Sequence, residues 1–193
     1  MTDDRETQPR TGPNVSDLIP TDYAACIAAG LRALGIAEDY AVSRSLRLQP
    51  EATELVTARV FKDGRELKLA PGAAAAWQAL AGAAAAEGVT LLLISGFRSV
   101  DHQRSILERK LAAGQPLAEI LRVNAAPGYS EHHTGGAVDI GTPGCAPLEE
   151  AFETTAAFAW LARHAAASGF RLSFPRGNPH GVIHEPWHWL HVG

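Results

Sequence analysis

Cysteine, long apolar runs and clustered positive charge are all scarce here. Only Cys26 and Cys145 occur in 193 residues, and no CxxC pair is formed. That excludes a cysteine-ligated zinc cluster and a disulfide scaffold, and leaves room for at most one bridge. No stretch is long enough to span a membrane. The apolar run from Ala24 to Ile36 contains Arg32 and reads as an amphipathic helix. Lys and Arg total 17 against 21 Asp and Glu, for a net charge of -4, and no basic patch stands out. Nucleic acid and anionic membrane surfaces are therefore poor partners. Residues 1–20 carry Asp3, Asp4, Arg5 and Glu6 and lack the basic start and apolar core of a secretory signal. A flexible tail over 1–20 and a single domain over 21–193 are expected, with a cytoplasmic location unless another route exports the chain.

What is present fits one folded domain. Hydrophobic residues make up 46% and charged residues 20%, a balance that buries a sizeable core at this length. A helix is expected over Asp22 to Leu34, then a hairpin over Leu55 to Leu69 turning at Asp63-Gly64. Pro71 opens an alanine-rich helix that runs to Glu87 and stops at Gly88. Val89 to Ser95 suits a buried strand, Val100 to Ala113 a helix, and Pro116 starts another short helix. After a loop over Ala125 to Gly136, strands are expected at Ala137 to Ile140, Phe170 to Phe174 and Trp187 to Val192. A helix over Phe152 to Ser168 lies between them. Irregular alternation of this kind indicates α+β rather than a Rossmann fold.

Histidine is the informative residue. All but His102 lie in the last third of the chain, and imidazole is the commonest metal ligand. Ser130 to Asp139 and Glu185 to Trp189 together hold what a hydrolytic zinc site needs. Such a site takes three N or O ligands and keeps one position open; His132, Asp139 and His188 supply two imidazoles and a carboxylate. Gly135 and Gly136 let the chain turn back, so that His132 approaches Asp139. Alternation puts His188 on one face of the last strand, with Trp187 and Trp189 on the other. Pro186 biases Glu185 towards an extended backbone beside the site, where its carboxylate can serve as general base.

His184 to His188 also spells HExxH, the zinc signature of a helical peptidase class. Pro186 falls inside that helix and removes a backbone donor. In a strand, residues four apart stand about 13 Å from each other, too far to share one ion. The helical reading is rejected. A non-catalytic zinc-binding module is the other rival, and it would have no need of Glu185.

Ser130, His132, Gly135, Ala137 and Asp139 form the run SxHxxGxAxD, which is followed by ExxH beside tryptophan. Upstream stand Ser95-Gly96-Phe97-Arg98-Ser99 and, five residues after Arg98, Gln103. These three motifs, in this order, resemble the VanY-type zinc D-alanyl-D-alanine carboxypeptidases, a group that also contains L,D-carboxypeptidases and D,D-dipeptidases. The resemblance covers about half of the chain, from Leu91 onward. It implies a hedgehog/DD-peptidase-like α+β domain, with a small antiparallel sheet carrying zinc and helices packed outside. It also implies zinc at His132, Asp139 and His188, with Glu185 as base. Arg98 would act on the substrate carbonyl or carboxylate, and Ser130 and Gln103 would contact the peptide. The substrate implied is a peptidoglycan stem peptide or D-Ala-terminated precursor. His133 departs from the family pattern, which commonly has Gln there.

Overall fold

Turn residues and caps break the chain into elements much as their chemistry requires. The computed structural model describes residues 21–193; the tail expected over 1–20 lies outside the described residues. Helix α1 (Thr21–Ala33) buries Ile27 and Leu31, and a short α2 (Tyr40–Ser43) buries Tyr40. Strands β1 (Val56–Val60) and β2 (Glu66–Leu69) pair antiparallel, Val56 opposite Leu69 and Val60 opposite Glu66. Gly64, in the turn between them, has φ 82°, a conformation glycine adopts without strain.

Helix α3 (Pro71–Ala86) starts on proline and buries Ala73, Ala74, Trp77, Leu80 and Ala84, one face at helical spacing. After β3 (Leu92–Ser95), Ser99 caps α4 (Val100–Ala112) by accepting the His102 N–H at 3.1 Å. The strand begins at Leu92, three residues later than expected. Helix α5 (Leu117–Val123) follows, and a 3₁₀ turn over Glu131–Thr134 interrupts the expected loop.

The helix expected over Phe152 to Ser168 is three pieces: a 3₁₀ turn (Glu150–Thr154), α6 (Ala156–His164) and a second 3₁₀ turn (Ala165–Ser168). Thr155 causes the first break. Its backbone is extended, at φ -85° and ψ 156°, and its hydroxyl accepts the Phe158 N–H at 3.2 Å.

The second sheet carries the site. Its order is β3-β4-β6-β5, all antiparallel, with β4 spanning Ala137–Gly141, β5 Phe170–Leu172 and β6 His188–His191. The buried side chains form two clusters. Val138, Ile140, Trp187 and Trp189 pack with Trp77 and Leu80 of α3 and with Trp160 and Leu161 of α6. Ile27, Leu107, Ile120 and Leu121 of α1, α4 and α5 form the other. Burying a side chain of this size contributes about 1.5–3 kcal/mol, so both clusters are rigid supports for what they flank. Among the described residues, no helix is long and apolar enough to cross a membrane.

Candidate metal centre and active site

Sheet register assembles the centre. Asp139, the middle residue of β4, lies opposite Ser95 of β3 on one side and His188 of β6 on the other. His132 arrives from the 3₁₀ turn, which Gly135 closes at φ 67°. A Cβ on Gly135 would stand 2.8 Å from the Ala70 nitrogen, so only glycine fits this reversal. His132, Asp139 and His188 are buried, and one ligand atom from each falls in a group no more than 4.8 Å across.

The other ring nitrogens are occupied. His132 Nδ1 lies 2.8 Å from the Gly96 carbonyl oxygen and must donate to it. Its Nε2 is thereby left with a lone pair, 3.3 Å from Asp139 Oδ2. His188 Nε2 lies 3.0 Å from Glu131 Oε2, and Nδ1 lies 3.0 Å from Asp139 Oδ1. The two rings meet edge to face at 4.9 Å. His132 Nε2 offers a lone pair beside the buried Asp139 carboxylate, and His188 Nδ1 would offer a second on losing its proton, a donor set of the kind divalent zinc takes.

Titration in the ion-free protein follows from these contacts. Burial opposes a charged His188, but the hydrogen bonds to Asp139 and Glu131 outweigh it and push the ring up to about 10. Burial would raise Asp139 and Glu131 as well. The two histidines hold Asp139 well below the carboxylate range, and the His188 hydrogen bond with its charge brings Glu131 down to about 2. Burial pushes His132 down. Glu185 goes the other way: burial raises it to about 7, with His188 opposing and Asp139 adding to the rise.

Arg98 follows β3 and reaches the same cavity. Its Nη1 donates to Gln103 Oε1 at 2.9 Å, and its backbone N–H donates to the His132 carbonyl at 3.1 Å. Gln103 is fully buried and donates in turn to the Ala125 carbonyl at 2.7 Å. It therefore braces Arg98 from within the fold. Ser130 lines the cavity.

His133 commits both ring nitrogens to backbone. Nδ1 donates to the Arg98 carbonyl at 2.6 Å, and Nε2 accepts the Gly128 N–H at 3.1 Å. Burial pushes it down to about 4, so it is a neutral brace with no lone pair left for an ion. His184 faces elsewhere, with Nδ1 3.2 Å from the Phe174 carbonyl oxygen and Nε2 3.2 Å from Glu153 Oε1. The backbone over 182–185 is neither helix nor strand, so the helical HExxH geometry does not arise.

The cavity encloses about 300 Å³, and its lining includes Arg98, Lys110, Ser130, Asp139, Glu185, Trp187 and His188. Two of its charged lining residues, Glu131 and Lys110, escaped the sequence reading. Glu131 had a signal in its position directly before the first histidine of the motif. Lys110 had a weaker one: it follows Gln103 and Leu107 at spacings of four and three, one face of α4. Burial and then the Arg98 charge both lower the Lys110 ammonium.

A family model described as VanY, D-alanyl-D-alanine carboxypeptidase, matches residues 66–193. A D-alanyl-D-alanine carboxypeptidase of Enterococcus faecalis is 33% identical over 126 residues, covering 60% of this chain and 45% of that protein. The chain spans about half the length of such curated relatives. The solved structure of the LD-carboxypeptidase LdcB gives a TM-score of 0.67 at 32% identity, over 74% of this chain and 70% of that one. A vancomycin-resistance D,D-pentapeptidase VanY variant, solved in complex with Zn(II), gives 0.57 at 29% identity, over 75% of this chain and 81% of that one. The family match takes in the turn and both strands that carry the buried trio, as well as Arg98 and Glu185, and on that ground the chain belongs to the VanY family of D-alanyl-D-alanine carboxypeptidases.

Proposed function

We propose that this chain is a zinc carboxypeptidase that removes the C-terminal D-alanine from peptidoglycan-type peptides. One observation carries the reading: Glu185 and the buried trio of His132, Asp139 and His188 line the same cavity. A pure binding module has no use for a carboxylate there, whereas hydrolysis needs a base beside the ion. His132, Asp139 and His188 would hold the zinc, as the two committed ring nitrogens and the Zn(II) complex of the VanY relative both support. When bound, zinc polarises the scissile carbonyl and lowers the pKa of water to about 7.

The chain's own groups do the rest. Glu185 takes the proton from the attacking water and passes it to the departing amine. No hydrogen bond or ion pair ties up its carboxylate among the described residues, so it is free to make that transfer. Arg98, braced by Gln103, presents a guanidinium to the substrate carbonyl or terminal carboxylate. Lys110 adds a second cation to the lining, which favours substrates that end in a free carboxylate. Trp187 and Val182 supply apolar wall, suited to a small methyl side chain.

A D,D-cleavage of pentapeptides ending in D-Ala-D-Ala is the primary reading. The LdcB likeness supports an L,D-cleavage of tetrapeptides at the same site, and a D,D-dipeptidase reaction uses the same groups. Mass spectrometry of products from defined pentapeptides, tetrapeptides and the free dipeptide separates the three. Replacing Glu185 with Gln tests the mechanism: zinc should remain, and turnover should fall by about 10² or more. Unchanged hydrolysis by E185Q would overturn the role of this residue.

A further inference from the structure

We infer that Glu131, held by Arg171, is a positioning residue that fixes which nitrogen of His188 faces the metal and strengthens that ligand. The inference rests on the ligand set proposed above. His188 opens the four-residue strand β6 and directly follows irregular backbone. Its ring can turn about Cβ–Cγ, and a turn would carry Nδ1 away from Asp139. A second anchor prevents it: Glu131 Oε2 accepts a hydrogen bond from Nε2–H at 3.0 Å. The carboxylate is itself pinned, because Oε1 accepts from Arg171 Nη2 at 2.9 Å.

Arg171 belongs to the edge strand β5 and stands opposite Leu190 of β6. The brace therefore ties the turn that carries His132 to the far edge of the sheet. It closes over the outer side of His188 while Asp139 holds the inner side.

Glu131 does not belong to the buried group of ligand atoms, so it acts through the imidazole. The two histidines consequently differ. His132 leans on a neutral carbonyl of Gly96, whereas His188 leans on a carboxylate. A carboxylate on the outer nitrogen makes imidazole the more basic donor, and removing such a partner typically costs about 10–100-fold in metal affinity or activity. Loss of Glu131 should therefore weaken one ligand of the three and leave the other two in place.

The test measures metal directly. Zinc affinity is read by competition with a chromophoric chelator, and the visible spectrum is recorded after loading with Co(II). E131Q should weaken zinc by about 10-fold and shift the Co(II) bands. A side chain that merely supported the fold would lower the melting temperature of the metal-free protein without altering those bands. R171M should weaken zinc by about two- to fivefold, the scale of an exposed ion pair. Wild-type affinity and spectrum in E131Q, while H188A loses zinc, would overturn the positioning role. Loss of zinc in E131Q as complete as in H188A would make Glu131 a ligand and overturn it too. Wild-type affinity in R171M would overturn the part given to Arg171. Full zinc retention in H188A would instead sink the ligand set on which the inference stands.

Discussion

The two walls of the cavity are built in opposite ways. Around the buried trio the polar side chains are tied: His132 to Gly96, His188 to Asp139 and Glu131, Glu131 to Arg171. Elsewhere in the lining two groups are left available. Glu185 has no partner for its carboxylate among the described residues, and Lys110 makes no ion pair among them. The titrations divide in the same way, with Glu131 brought down to about 2 and Glu185 raised to about 7. Cross-bracing suits a wall that must hold an ion in fixed geometry. Unsatisfied charge suits a wall that must receive a substrate and move a proton, and it costs stability until the substrate arrives.

Breaking the sheet wall should have the largest effect. His132→Ala, Asp139→Ala and His188→Ala each remove one of the three proposed ligands, so metal analysis should find zinc lost and hydrolysis of D-Ala-terminated peptides abolished. Three variants that keep full zinc would show the ligand assignment to be wrong.

Arg98 lines the same cavity but is tied to Gln103. Arg98→Ala should retain zinc yet lose about 10²–10³ in kcat/KM, the scale of removing a donor to developing charge. Steady-state kinetics beside metal analysis reads both. Wild-type kinetics would reduce Arg98 to a structural ion.

The glutamates allow a sharper contrast in the metal-free protein. Below pH 4.5, Glu185 is protonated whether folded or not and has no effect. Between 4.5 and about 7 the unfolded chain ionises first, so stability falls as pH rises. Glu185→Gln should therefore raise the melting temperature of the metal-free protein at pH 8 and leave it unchanged at pH 4. Glu131 has the opposite sign: its folded pKa is depressed, so its contribution is present above 4.5 and lost as pH falls towards about 2. Identical melting curves for wild type and E185Q at pH 8 would contradict the cost assigned to Glu185.

The smallest effect on the metal is expected outside both walls. His184→Ala removes a ring that touches Phe174 and Glu153, so zinc content should stay close to wild type. Zinc loss equal to that of His188→Ala would return the helical HExxH geometry.

Much of this molecule is legible along the chain because its signals are local. Asp63-Gly64 marks the hairpin, Pro71 and Gly88 bracket α3, and Gly135 permits the reversal after His132. Each acts through its own φ and ψ or its own missing donor, so no distant residue has to be known. The motif residues are legible for a related reason: ligand types and spacing are constrained by the ion they suit.

Other features depend on which distant segments meet. Glu131 and His188 are 57 positions apart, and only the β4–β6 register together with the 3₁₀ turn brings them into contact. Gln103 shares a motif with Arg98, but burial under the guanidinium decides that it braces Arg98. His133 lies beside His132 in sequence and is excluded from the centre because its two nitrogens find Arg98 and Gly128. The amino-acid order by itself therefore determined the elements, the donor types and the rejection of the helical zinc motif, all of which follow from local backbone chemistry. Tertiary packing decided which nitrogen faces the ion, which carboxylate stays free and which cations share the cavity, because burial and non-local register set the partner of every polar atom.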